Sequence, residues 1–390
     1  MSVTHVNSEN NDRRMESNMN QNTDNIKNTD NIENTEGQQE PTHKRRVRYK
    51  GTHPRKFSEK YKEHNPEKYG DTIAKVISKG STPAGMHISI MVKEILDFLQ
   101  IKPGQIGLDA TLGYGGHTSK MLECLKGDGH VYGLDIDPIE IVKTTKRLAD
   151  KGFGPDIVTT INTNFANIDE VAREHGTFDF MLADLGVSSM QIDNPERGFS
   201  YKIDGPLDLR LNPQKGVSAA DRLKEITRDE FQWMMVENSD EPYAAEIAKE
   251  VFELARKGQN VKTTKDLYNA VFEALRKSKD YKKASEKELK EAVKKSCQRT
   301  FQALRIDVNS EFEVLEQFLS KLPDVLSSGG RVAILTFHSG EDRMVKKAFK
   351  QFYKEGLFSE ISEDVIRPSA EECNVNPRAR STKMRWAVKA

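Results

Sequence analysis

Asp109, Asp135 and Asp184 each close an apolar run, reading IGLD, VYGLD and FMLAD. An aspartate that ends a buried strand is either a turn former or a carboxylate presented to a cleft, and the residues that follow decide between them. After Asp109 comes TLGYGGHT, in which Gly113, Gly115 and Gly116 have no Cβ, can take positive φ and let a ligand touch the main chain. The spacing GxGG followed by His117 departs from the GxGxxG that would set a pyrophosphate on a helix N-terminus. Asp135, about 20 residues beyond the loop, can accept hydrogen bonds from both hydroxyls of a ribose. Its neighbour Asp137 precedes Pro138 and suits a helix cap. The pattern therefore points to a ligand that carries a ribose and need not carry phosphates.

Asp184 is followed by Gly186 and two serines, which favours the cleft over a structural turn. Phe165, just past a third strand-like run, either flanks a bound heterocycle or is an ordinary core aromatic. The segment QIDNPERGFSYKIDGPLDLRLNP is a long loop dense in Asp, Arg, Pro and Gly, of the kind that carries substrate contacts over a sheet edge. Only Cys124, Cys297 and Cys373 are present, widely spaced and odd in number, so neither a disulfide framework nor a CxxC metal site is available and a reducing cytoplasm fits.

The elements that must position these groups alternate. Helical spacing at Ile90, Val92, Ile95, Leu96 and Leu99 precedes the first strand, and HVYGLDID, DIVTTI and FDFMLADLG read as further strands separated by helices, which implies an α/β fold with a parallel sheet covered on both faces. From about Pro206 to residue 304 the pattern is helical, with Tyr243, Ile247, Val251 and Leu254 in one repeat and a threonine cap before Leu267, Val271 and Leu275 in the next. The sheet pattern resumes at GGRVAILTFHS, so a helical block is expected to be inserted between 86–205 and 305–390. Residues 1–43 are polar and self-similar and read as a disordered tail, and 44–85 as an extension opening on the basic run KRRVRYKGTHPRK, a solvated tail or a nucleic-acid arm. With 60 Lys plus Arg against 60 Asp plus Glu, net charge names no polyanionic partner, and any such argument must rest on local patches. No apolar run is long enough for a membrane span and no signal-peptide core is present.

DATLGYGGHT, LDIDP, DLGVSSMQID, RGFSYKIDGPLDLR, RTFQALRIDVN, GGRVAILTFHSGEDRMVK and NPRARSTKMR, in that order, resemble the blocks of the RsmH (MraW) family over residues 86–390. The resemblance implies a Rossmann-like class I S-adenosylmethionine-dependent methyltransferase sheet with an inserted all-helical domain. It implies transfer of a methyl group to N4 of a decoding-region cytidine in 16S ribosomal RNA, with the small subunit or its RNA as partner and no membrane. Cofactor contacts carried over from the family fall on Gly115, Gly116, His117, Asp135, Phe165, Asp184 and Gln191; Gln191 and His117 rest on the resemblance alone. Four segments depart from the family pattern: HISIM where HxPVL is usual, NSDEPYAAEI at a Gly-Glu-Glu motif, KKSCQRTFQ at a His-Pro-Ala-Thr segment, and Gly340 where leucine is usual. A paralogous enzyme acting on another cytidine and a non-catalytic assembly factor are the alternatives, and monomer or homodimer stays open.

The amine on C4 of cytosine is a poor nucleophile because its lone pair is delocalised into the ring. Catalysis must hold it at near-attack distance and accept its hydrogens. Asp184 and the carbonyls of Leu185 to Val187 are expected to form that acceptor edge. Phe199, Tyr201, Phe337 and His338 are candidate walls for the base. Arg197, Arg210, Arg299, Arg305, Arg378, Arg380, Lys383 and Arg385 are candidate phosphate contacts. A nicotinamide-dependent oxidoreductase shares the fold but requires the phosphate fingerprint that LGYGGH lacks.

Overall fold

The computed structural model describes residues 89–390; the expectations for 1–43, for 44–85 and for the start of the 86–205 segment, including His87, lie outside the described residues. A first helix α1 (Val92–Leu99) precedes β1 (Ile106–Asp109), α2 (Gly116–Leu125), β2 (His130–Leu134), α3 (Pro138–Asp150), β3 (Val158–Ile161), α4 (Ile168–His175) and β4 (Phe178–Asp184). After a short helix α5 (Ser189–Asp193) come five helices in succession: α6 (Ala219–Glu225), α7 (Arg228–Ser239), α8 (Ala244–Arg256), α9 (Thr264–Lys277) and α10 (Glu286–Asn309). The chain returns through α11 (Glu311–Val325), β5 (Leu326–Thr336), α12 (Ser339–Lys354), β6 (Phe358–Ile361), α13 (Ala370–Val375) and β7 (Lys383–Lys389).

The seven strands form one sheet in the order β3-β2-β1-β4-β5-β7-β6. β1 to β5 pair in parallel, and β7 runs antiparallel between β5 and β6. This is the expected Rossmann-like α/β sheet, and its order reverses between β1 and β4, the switch point at which ligands bind. Along β4, Phe180 and Leu182 join a core with α1, α2 and α3, whereas Met181 and Ala183 join the opposite core with α11 and α12. That alternation buries both faces, as a parallel sheet requires.

The helices between β4 and β5 enclose a hydrophobic core of their own, centred on Phe231, Ile247, Leu267, Val271, Leu275 and Leu304. Their starts are written locally as capping boxes: Thr227 with Glu230, Thr263 with Asp266 and Ser285 with Glu288. The helix α10 is continuous through Leu304 and Arg305, so the expected end of the helical block falls inside it. Strands β6 and β7 have no counterpart in the sequence reading, which took the end of the chain as a basic cluster. Among the described residues no helix is long and apolar enough to cross a membrane.

Candidate functional site

A cavity of about 620 Å³ opens over the carboxyl ends of β1, β2 and β4. Its strand-side wall is built from the loops that follow those strands. Gly115 sits at φ +78 ahead of α2, and a Cβ there would come 2.8 Å from the Thr144 side chain on α3. A Cβ on Gly116 would come 2.1 Å from Oγ of Ser89. Two of the glycines thus let the loop close against the protein's own residues, and Gly113, Tyr114 and Gly116 line the cavity. Residues Ala110 to His117 contain no lysine or arginine.

Asp135 follows β2 directly. Its Oδ2 accepts from the Gly113 N–H at 2.9 Å and its Oδ1 from the Asp137 N–H at 2.8 Å. Each oxygen keeps a lone pair, and burial without a cation raises the carboxyl to about 7. Asp137 has a different environment. Its Oδ1 caps α3, accepting from the Ile139 and Glu140 N–H groups, while its Oδ2 accepts from Gln191 at 3.1 Å and from Arg197 at 2.7 Å. Gln191 also accepts the Ser188 N–H and so closes the capping box of α5.

Asp184 ends β4 with its main-chain N–H donating to Thr111 Oγ1 at 2.6 Å. Its Oδ1 is enclosed and has no hydrogen-bond partner, and its Oδ2 lies 3.6 Å from Nδ1 of His117. Burial raises this carboxyl to about 6, with the nearby Asp109 and Glu341 pushing it up and His117 pulling it down. Nε2 of His117 is held 2.9 Å from the Ile90 carbonyl. The turn Leu185 to Ser189 continues the wall, and Phe165 faces the cavity while packing edge-on against Phe318.

The opposite wall carries most of the charge. Arg305 on α10 binds both oxygens of Glu311, at 2.8 and 2.9 Å. Glu341 accepts the Phe337 N–H, and His338 caps α12 with Nε2 3.1 Å from Glu341. Glu311, His338 and Glu341 lie within ligand distance of one another, but Arg305 already engages both oxygens of Glu311, so the group is a closed ionic network.

Several expected substrate contacts are placed elsewhere. Phe199 and Tyr201 belong to the core of the helical block, where Tyr201 stacks on Tyr268 at 5.7 Å. Arg197 is buried on Asp137, Arg210 binds Asp208, Arg378 binds Asp193, and Lys383 and Arg385 in β7 both bind Asp342. Arg299 lies 3.9 Å from the buried Glu241. Arg380 is exposed on the cavity rim and, among the described residues, has no carboxylate within ion-pair distance. Phe337 lines the cavity as expected.

The sequence matches the model described as the MraW methylase family over residues 84–390. The chain belongs to the MraW methylase family. It is similar to the protein named Ribosomal RNA small subunit methyltransferase H 1 of Lachnoclostridium phytofermentans, at 68% identity over 352 residues, 90% of this chain and 94% of the relative. A relative of the same name from Agathobacter rectalis is 65% identical, with 90% of this chain and 99% of the relative covered. The Ribosomal RNA small subunit methyltransferase H of Clostridioides difficile is 35% identical over 78% of this chain and 98% of its own length.

Of the seven positions that the MraW resemblance assigns to the cofactor, Gly116, His117, Asp135, Phe165, Asp184 and Gln191 line the cavity, and Gly115 packs on α3. Two of the departures from the MraW pattern meet in space. Glu241 of NSDEP accepts from Ser296 of KKSCQ at 2.8 Å, Gln302 donates to the Asn238 carbonyl, and Asn238 donates to the carbonyl of Ala303, one residue past that segment. The third is also local: Gly340 leaves room for Phe312, whose ring would lie 2.8 Å from a Cβ at that position.

Proposed function

We propose that this soluble, cytoplasmic enzyme methylates N4 of a decoding-region cytidine in 16S ribosomal RNA, alone or in the small subunit, with S-adenosylmethionine as methyl donor. When bound, the cofactor supplies an electrophilic methyl group on a sulfonium. Asp135 would hold its ribose, since both carboxylate oxygens keep lone pairs toward hydroxyl donors. The glycine loop, which has no lysine or arginine of its own and whose Tyr114 ring already carries the Arg147 guanidinium, suits a ligand without phosphates, and Phe165 would face its adenine.

The choice of N4 rests on one observation: the wall around Asp184 presents acceptors. Asp184 keeps part of its side chain exposed; with Oδ1 enclosed, Oδ2 is the oxygen left to accept, and Leu185, Gly186 and Val187 follow it along the cavity. An exocyclic amine offers two hydrogens to such an edge. Accepting them orients the nitrogen and favours the pyramidal form in which its lone pair is free. Methylation at C5 would call for a cysteine nucleophile, and among the described residues neither a cysteine nor a lysine lines the cavity. Phe337 offers a face on which an extruded base can stack.

We also read 206–304 as a domain inserted between the sheet segments 86–205 and 305–390, which its separate core supports. The deciding experiment incubates the protein with small-subunit ribosomal RNA and methyl-labelled S-adenosylmethionine, then identifies labelled nucleosides by mass spectrometry. Label in N4-methylcytidine is expected. Label at C5 or on ribose would overturn the N4 assignment, and no label would overturn catalysis. Oligonucleotide mapping of the same digest separates the decoding-region cytidine from any other.

A further inference from the structure

Nε2 of His117 faces a carbonyl oxygen, Ile90 O, and must carry a hydrogen to bond with it. In the neutral ring Nδ1 is then a bare acceptor, and it faces another acceptor, Asp184 Oδ2, at 3.6 Å. Two acceptors attract only when a proton lies between them. The other titratable groups acting on Asp184 are Asp109 of β1 and Glu341 of α12. Asp109 is occupied by Thr118 Oγ1 at 2.6 Å and by the Thr111 N–H. Glu341 is occupied by the Phe337 N–H and His338, with the charge of Arg305 beyond it. Of the three, His117 is the one that can become a cation.

Resting on the N4 reading above, we propose that Asp184 and His117 act as one acid–base pair that removes the amine proton. As the N4–C bond forms, the methyl–sulfur bond would break with its electron pair left on sulfur, while an N4–H bond leaves its pair on nitrogen and its proton passes to Asp184. Nδ1 of His117 then shares that proton across the narrowed gap, so the positive charge brought by the methyl group departs as an imidazolium held by a carboxylate and finally enters solvent. His117 is a positioning residue that acts through Asp184.

The test is His117→Gln, whose amide can still donate to the Ile90 carbonyl but offers no base at Nδ1; His117→Asn replaces it if the first variant does not fold. In the ligand-free protein, the carbon-13 resonance of the Asp184 carboxyl, assigned against Asp184→Asn, should titrate at higher pH in the variant, because the imidazolium that holds it down is gone. In single-turnover methyl transfer at saturating cofactor, the acid limb should move the opposite way, to lower pH, since a pair binds its first proton more readily than one carboxyl alone. The plateau rate should fall on the order of 10²-fold. Unmoved midpoints, or both midpoints moving together, would show Asp184 titrating alone and overturn the pairing. Wild-type protein that makes no N4-methylcytidine would overturn the N4 reading itself, while the carboxyl titration would still decide whether the pair exists.

Discussion

Asp135 and Asp137 stand two residues apart at the end of one strand, yet Asp137 has a guanidinium, a carboxamide and two main-chain donors, and Asp135 has main-chain donors alone. The same contrast separates the two walls of the cavity. On the strand side, Asp135 and Asp184 are half-buried, without a basic side chain at hydrogen-bonding distance, and raised to about 7 and about 6. On the facing wall Arg305 and Arg378 each lie within 3.0 Å of a carboxylate, as do Arg197 and Arg210 of the long loop, which do not line the cavity. The difference teaches which charges hold the site together and which are held ready for a ligand. A buried acceptor short of donors is costly to fold and useful to bind with; a buried ion pair is already complete.

The sharpest way to break this contrast is Arg197→Ala, which strands the buried Asp137 carboxylate. Denaturant unfolding should show a loss of about 3–5 kcal/mol, and a loss under about 0.5 kcal/mol would make Arg197 a surface charge after all. Asp184→Asn should do the reverse. Transfer should fall on the order of 10²-fold, while stability at pH 8 should stay equal or rise. The sign follows from the raised carboxyl: between the ordinary value of 3.8 and about 6 the folded protein keeps a proton that the unfolded chain releases, so this group's contribution declines as pH rises through that window. A variant less stable than the parent at pH 8 would place Asp184 with the structural charges.

Asp135→Asn comes next in size. Calorimetry should show cofactor affinity reduced roughly tenfold to a hundredfold with little change in turnover. On the proposed ribose contact the hydroxyls would need the ionised carboxylate, so in the parent protein affinity should weaken as pH drops below about 7 and binding should release a proton. The variant should lose that dependence, and a persistent one would move the ribose elsewhere. The smallest effect is expected at the rim. Arg380→Ala should lower the salt slope of RNA binding by roughly 0.7, whereas Arg378→Ala, already engaged by Asp193, should leave it nearly unchanged. Equal changes would erase the distinction between free and paired cations.

The strand-end carboxylates, the glycine loop and the caps at Thr263 and Asp137 were legible in the sequence because each is a local signal: an apolar run with a polar end, or a capping residue just ahead of a helical repeat. The destinations of the arginines were not. Arg197 reaches Asp137 across 60 positions, and no periodicity encodes such a pairing. Phe199 and Tyr201 looked like cleft aromatics because their loop is polar, but the loop folds back onto the helical core and buries them there. The antiparallel β7 was hidden by its own charges. Lys383 and Arg385 read as a surface cluster, and only Asp342, some forty positions earlier, makes them fit a sheet. The link between Glu241 and Ser296 escaped for the same reason, although the two segments were singled out separately.

The unbroken α10 has a mechanical consequence. Its 24 residues form a rod of about 36 Å that starts in the helical block and ends with Gln298, Arg305 and Asn309 on the cavity wall. With no joint along its length, a push on the distant turn near Ser285 is delivered to the mouth of the cleft as tilt.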